Sequence, residues 1–181
     1  MPKILIPSLS QARKESFAKR GIHLIEAATV EEFEHVIADY LNGHNVLHLA
    51  TCLNNQARST TLEYFNNGLT VYIMSEGGGK LANLKTNPNV SYTIADPYNP
   101  EKDFFGASGL QVWGAASVFR RNDAPGKFAE VYRYARNPEA LEQQGLSSMA
   151  DAVNFYLITI VPEKIIYINY RQGYRKITWE R

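Results

Sequence analysis

Cysteine is almost missing from this chain: Cys52 stands alone among 181 residues. A lone cysteine rules out an intrachain disulfide and a cysteine-rich zinc site, and Cys52 reads as a small apolar side chain rather than a nucleophile. Surplus charge is missing too, since 19 Lys and Arg against 18 Asp and Glu leave a net charge of +1. A near-neutral chain exerts no general attraction on nucleic acid or anionic lipid, so any affinity for phosphate has to come from a local set of donors. No stretch approaches the roughly 18 consecutive apolar residues of a membrane span, and the apolar start Ile4-Leu5-Ile6 is broken at Pro7. Internal repeats and low-complexity segments are absent. The expectation is a soluble, cytoplasmic protein with no nucleic-acid or membrane partner.

What is present is an ordinary globular composition, 45% apolar and 12% aromatic, in a chain long enough for one domain with a sizeable core. Residues 1–28 read as a peripheral arm with one basic stretch, Gln11 to Arg20, suited to a turn or two of helix. The domain proper is 29–181. Thr29 and Glu32 have capping-box spacing, Val30, Phe33, Val36, Ile37, Tyr40 and Leu41 recur at helical period, and Gly43 stands where a helix stops. Short β-rich runs follow: Val46 to Cys52, Ala57 to Phe65 and Leu69 to Ser75, separated by Asn54-Asn55 and Asn66-Asn67-Gly68 as two antiparallel hairpins. Leu81 to Thr86 is a short helix ended by Asn87-Pro88, and Val90 to Ala95 and Leu110 to Phe119 are strands. Asn122 or Asp123 caps a helix running to about Arg136, and a second helical stretch covers Glu139 to Ala152. Phe155 to Val161, Lys164 to Tyr170 and Tyr174 to Trp179 read as three closing strands, the last pair turned by Arg171-Gln172-Gly173. The class is mainly β with flanking helices.

The stretch Gly77-Gly78-Gly79-Lys80-Leu81-Ala82 matches a dinucleotide fingerprint, with Asp96 about twenty residues on. Geometry excludes that reading. A parallel crossover must return the length of a strand, roughly 17–20 Å, whereas a helix of about seven residues spans about 10 Å. The preceding run also belongs to a hairpin, whose strands are antiparallel. A Walker A loop fails because Leu81 stands where magnesium needs a hydroxyl. The glycines followed by Lys80, together with Arg58-Ser59-Thr60-Thr61 on a neighbouring strand, offer a guanidinium, an ammonium, hydroxyls and unhindered N–H groups at a helix start, a set suited to a phosphate monoester. The competing reading is two solvated charges beside a flexible turn. Gln111 and Trp113 alternate on one strand face, either to hydrogen-bond a flat heteroaromatic ligand or as an edge strand with a core tryptophan. His44 and His48 do not share a helical face, so no metal site is expected. Lys127, Arg133 and Arg136 among Phe128, Tyr132 and Tyr134 read as the solvated face of an amphipathic helix, and nothing identifies a catalytic acid or base.

Residues 30–181 resemble the FMN-binding split barrels related to pyridoxamine 5'-phosphate oxidase, in an uncharacterised bacterial branch. The resemblance is carried by the helix Val30 to Asn42, the strands Leu47 to Thr51 and Thr70 to Ser75, and the ungapped order of Arg58-Ser59-Thr60-Thr61, Gly78-Gly79-Lys80 and Asn87-Pro88-Asn89-Val90. The strand Gly109 to Gly114 and the closing Gly173-Tyr174-Arg175-Lys176 with Trp179 add to it. It implies a six-stranded antiparallel Greek-key split barrel, a homodimer with FMN at the subunit interface. It further implies that Arg58 and Lys80 clasp the FMN phosphate, that Ser59, Thr60, Thr61, Ile73, Met74, Ser75 and Gly79 line the cofactor, and that Gln111 reaches it from the facing subunit. The implied activity is that of an FMN-dependent oxidoreductase or flavin reductase, with a small-molecule substrate or NAD(P)H as electron donor. A flavin carrier and a haem-binding split barrel are the alternatives. Relatives that oxidise vitamin B6 phosphates carry a lysine where this chain has Glu63 and an arginine where it has Gly79, so the resemblance does not extend to that oxidase activity.

Overall fold

The computed structural model describes residues 1–134 and 154–181; the helix expected over Glu139 to Ala152 lies outside them. In chain order the elements are β1 (Lys3–Leu5), α1 (Gln11–Ala18), α2 (Val30–Asn42), β2 (Val46–Leu53), β3 (Gln56–Glu63), β4 (Phe65–Asn67), β5 (Thr70–Ser75), α3 (Gly79–Thr86), β6 (Asn89–Ala95), β7 (Ser108–Arg120), α4 (Pro125–Tyr132), β8 (Tyr156–Asn169), a 3-10 turn (Tyr170–Gln172) and β9 (Tyr174–Glu180).

All the strand pairings are antiparallel, and six strands make the barrel in the order β3-β2-β6-β7-β8-β5. The circuit stays open. β5 comes close to β3 but pairs instead with the short β4, which leaves a seam between them. β8 is long enough to serve two partners along one edge, β5 through residues 156–160 and β9 through 164–169, and this division of one edge is what splits the barrel.

Side-chain alternation explains the core. Leu47, Leu49, Ile73, Ile158, Ile160 and Ile165 are buried on the inner face, where Phe33, Ile37 and Leu41 of α2 cover one end. Each such side chain stabilises the fold by about 1.5–3 kcal/mol. α2 starts at the expected capping box, Thr29 Oγ1 accepting from the Glu32 amide at 3.2 Å and Glu32 Oε2 accepting from the Thr29 amide at 2.8 Å. Asn54 and Asn55 both adopt left-handed conformations, φ 49° and 61°, which suits the tight turn joining β2 to β3.

Several boundaries differ from the sequence reading. The run Ala57 to Phe65 is broken at Tyr64, whose amide turns to the Asn45 carbonyl at 2.9 Å and whose hydroxyl bonds the Leu41 carbonyl at 2.7 Å, so β3 and β4 serve different neighbours. The runs Phe155 to Val161 and Lys164 to Tyr170 form one strand, since a bulge opposite Trp113 and Gly114 lets β8 pass through Pro162. Gly114 permits this approach, because a Cβ there would stand 2.3 Å from the Val161 carbonyl oxygen. α4 starts with Pro125 at its first turn and Ala124 as cap, not with an Asn122 or Asp123 side-chain cap, and it ends at Tyr132. Residues 1–28 contribute β1, which extends the sheet beside β9, and Ile22, which is buried. No helix of the described residues is long and apolar enough to cross a membrane.

Candidate functional site at the open seam

Arg58 is brought to the seam by register. It sits opposite the buried Thr51 on β2, and the same strand's Leu62 packs into the core, so Arg58, Thr60 and Leu62 share the inner face of β3. Ser59, Thr61 and Glu63 point the other way. Thr61 Oγ1 meets His48 Nδ1 at 3.0 Å on that outer face, which separates the expected Arg58-Ser59-Thr60-Thr61 set between two sides of one strand.

α3 delivers Lys80. Leu81 and Leu84 bury its inner side, while Asn83 Nδ2 donates to Thr51 Oγ1 at 2.9 Å and Asn87 Nδ2 to the Cys52 carbonyl at 3.1 Å. Because Thr51 is the register partner of Arg58, these bonds fix the start of α3 beside Arg58. The turn before it depends on Gly78, whose φ of +101° suits glycine. Gly79 meets Arg58 directly, since a Cβ there would lie 2.8 Å from Arg58 Nη2 and 2.9 Å from Cζ. The guanidinium thus fills the space that a side chain at position 79 would need.

Two cations meet here with no carboxylate between them. Among the described residues neither Arg58 nor Lys80 forms an ion pair. The Lys80 ammonium folds back on the Gly77 carbonyl at 2.8 Å. Burial, and then the Arg58 charge, hold its pKa below the ordinary lysine value. The first turn of α3 adds N–H groups that have no partner within the helix. This donor set, positive and short of a counter-charge, is the chemistry of an anion site.

β5 forms the other wall of the seam. Past Tyr72, which pairs with Phe65, its backbone has no strand on that side among the described residues, where Ile73, Met74 and Ser75 pair with β8 alone. The Ile73 side chain is buried in the core, Met74 is half-buried, and buried Ser75 Oγ bonds the Gly77 carbonyl at 3.2 Å. What these residues offer a ligand is chiefly backbone. Gln111 is not part of this group. It is exposed on the outer face of β7, three strands from β3 through β6 and β2 and two from β5 through β8, where its register partner Ile166 lies beyond the 156–160 stretch that pairs with β5. Trp113, two residues on, is 42% exposed, and the core tryptophan is Trp179, bonded to Glu34 Oε1 at 2.7 Å.

A second polar constellation was not legible as such in the sequence. Asp96, at the end of β6, takes His44 Nε2 at 2.6 Å on one oxygen and the hydroxyls of Tyr40 and Ser108 on the other. Burial acts to raise the Asp96 carboxyl, but the Ser108 and His44 bonds, the His44 charge and Tyr40 together hold it below its ordinary value. His44 and His48 serve different partners, Asp96 and Thr61.

Solved structures with this fold include the general stress protein 26 of Bacillus anthracis, 22% identical over 76% of this chain and 95% of that one, TM-score 0.52. A pyridoxamine 5'-phosphate oxidase-like protein of Listeria innocua is 23% identical over 76% and 99%, TM-score 0.50. HutZ, the haem storage protein of Vibrio cholerae, is 18% identical over 77% and 97%, TM-score 0.59. No curated protein matches the sequence. These likenesses establish the fold alone. Residues 33–169, well over half of the chain and including both walls of the seam, match the sequence pattern of the pyridoxamine 5'-phosphate oxidase family, and the chain belongs to that family.

Proposed function

We propose that this protein is an FMN-binding flavoprotein, an FMN-dependent oxidoreductase or flavin reductase, that holds the cofactor phosphate between Arg58 and Lys80. The observation that carries the reading is the pair of uncompensated cations at a glycine-lined helix start. The residues fit the group: Arg58 presents a fixed fork to phosphate oxygens, Lys80 a mobile point charge, and the start of α3 its free N–H groups. Arg58, lying over Gly79, supplies charge where relatives that oxidise B6 phosphates have an arginine, so the missing arginine at 79 is offset in part.

The open backbone of β5 at Ile73, Met74 and Ser75 suits the edge of a flat ring. The flavin itself would supply two-electron chemistry, taken from a donor such as NAD(P)H, and the chain's residues would bind and orient it. A homodimer follows from the same reading. Gln111 is too far from the seam of its own chain to serve it, and it stands with exposed Trp113 on a sheet face that a second copy would cover. Glu63 stands where relatives that oxidise vitamin B6 phosphates carry a lysine, so the cation they offer a substrate phosphate is replaced here by a carboxylate, and the reading excludes vitamin B6 phosphates as substrates.

The test is the visible spectrum and ligand preference of the purified protein. Flavin bands, with FMN bound more tightly than riboflavin, are expected, and equal affinity for the two would remove the phosphate clasp. Turnover of NADH or NADPH with stoichiometric FMN marks an enzyme, bound FMN without turnover marks a carrier, and a Soret band with no flavin marks a haem protein.

A further inference from the structure

The far end of β2 carries a hollow that the flavin reading does not use. It lies between the C-terminal end of α2, the end of β6 and the turn joining β8 to β9, about 770 Å³ in volume, within the usual range for small-molecule sites. His44 stands seven residues before Thr51, so this hollow is about 20 Å of strand from Arg58.

We propose that this hollow is a second binding site, for a small organic cation: an amine or guanidinium attached to a flat apolar body. Three tyrosines line it: half-buried Tyr174 offers part of its ring, while Tyr40, 9% exposed, and Tyr167, 2% exposed, are largely enclosed in the core. The rings of Tyr40 and Tyr167 meet edge to face at 5.2 Å, and Tyr174 lies 5.2 Å from Tyr167. Aromatic faces attract cations through the ring quadrupole. Among the described residues no lysine or arginine lines the hollow, the carbonyl end of α2 closes one side, and Asp39 and Asp96 both border it.

The one basic side chain lining it among the described residues, His44, is already engaged. His44 Nδ1 faces the Tyr40 carbonyl at 2.7 Å while Nε2 faces Asp96 at 2.6 Å, so both ring nitrogens are directed at acceptors within the wall. Asp96 receives three hydrogen bonds, from His44, Tyr40 and Ser108, where an ionised carboxylate has about four acceptor positions. One position stays available. The Asp39 carboxylate, exposed at the rim, makes no hydrogen bond or ion pair with any described residue. An ammonium can therefore take the remaining Asp96 position and the Asp39 charge while its apolar body rests against Tyr174, the ring that is partly open. Asn169 and Gln172 are joined to the Tyr167 hydroxyl at 3.2 and 3.4 Å, which holds that ring in place without a ligand.

The experiment is isothermal titration of the intact protein with benzylamine, and with benzyl alcohol and phenylacetate as neutral and anionic counterparts of the same shape. Benzylamine is expected to bind about tenfold more tightly than either counterpart. Asp96→Asn should weaken it about tenfold and Asp39→Asn about threefold, both with FMN affinity unchanged. Asp39 is exposed and outside the Asp96 network, so Asp39→Asn gives a reading even if Asp96→Asn destabilises the fold. Equal binding of the three probes, no binding of benzylamine at millimolar concentration, or benzylamine affinity indifferent to Asp39→Asn overturns the proposal. A loss of FMN binding with benzylamine binding intact would strike at the seam and leave this site standing.

Discussion

The two ends of β2 show opposite ways of placing charge on one strand. Near Thr51, Arg58 and Lys80 are gathered with no carboxylate beside them, and the protein tolerates a lysine whose pKa is lowered by burial and a like neighbour. Near His44, one carboxylate collects three donors, from α2, the turn after it and β7, and is held in its charged form by them. The first arrangement gains most when an anion arrives. The second is largely satisfied by itself, so it supports the fold first, and a ligand there must use what capacity is left over.

The sharpest way to break this comparison is to remove one member of each end. Arg58→Ala should weaken FMN binding about 10 to 150-fold, since each hydrogen bond to the phosphate dianion contributes roughly 1.5–3 kcal/mol. Lys80→Ala should cost less, because lysine is a flexible point charge. Riboflavin affinity should hold in both, as fluorescence-quenching titrations of the two flavins would show; a parallel drop for riboflavin would mean that these side chains support the fold instead.

At the other end the expected loss is of stability and not of flavin. Asp96→Ala leaves Tyr40, Ser108 and His44 without their shared acceptor, and, discounted for partial exposure, should cost about 1–2 kcal/mol in urea unfolding with FMN affinity intact. The sign of the pH effect is fixed. Because the folded Asp96 pKa is lowered, its contribution is complete above the ordinary value of 3.8 and is lost as pH falls through the folded pKa below it. Acid unfolding of Asp96→Ala should therefore be less steep than that of the natural protein.

A smaller effect is expected on the alkaline side of the seam. The Lys80 pKa is lowered from 10.5, and a phosphate dianion favours the ammonium, so FMN affinity should begin to fall below that pH as the free lysine loses its proton. The limiting slope is about tenfold per pH unit. Lys80→Arg should flatten the curve.

The smallest expected change comes from Gly79→Ala. It adds helix propensity to the first turn of α3, worth about 0.5–1 kcal/mol, yet pushes a methyl against the Arg58 guanidinium. Slightly higher stability with FMN affinity down about two- to fivefold is expected from melting and titration together. Unchanged affinity would show that Arg58 need not lie on Gly79.

Local signals were legible wherever they are written in neighbouring residues. The capping box at Thr29 and Glu32, the Asn54-Asn55 turn and the glycines before Lys80 each state a backbone conformation that no distant residue has to supply. Chain breaks set by distant partners were not legible: nothing local to Tyr64 announces that its amide will turn to Asn45, nor does Pro162 reveal that a bulge opposite Gly114 lets the strand continue. The same applies to Asp96, which the sequence offers only as an acid after a strand, whereas its partners stand 52 and 56 positions back and 12 ahead.

From sequence alone came most of the elements, the family resemblance and the grouping of Arg58 with Lys80, because periodicity, turn chemistry and ordered spacing are one-dimensional properties. Tertiary structure alone decided which face each of Arg58, Ser59, Thr60 and Thr61 occupies, that Arg58 takes the space above Gly79, and that Gln111 lies on the outer face of β7, three strands from Arg58. Strand register is a long-range choice, set by which side chains the core can bury, and a shift of one residue would have turned Arg58 outward and Ser59 in.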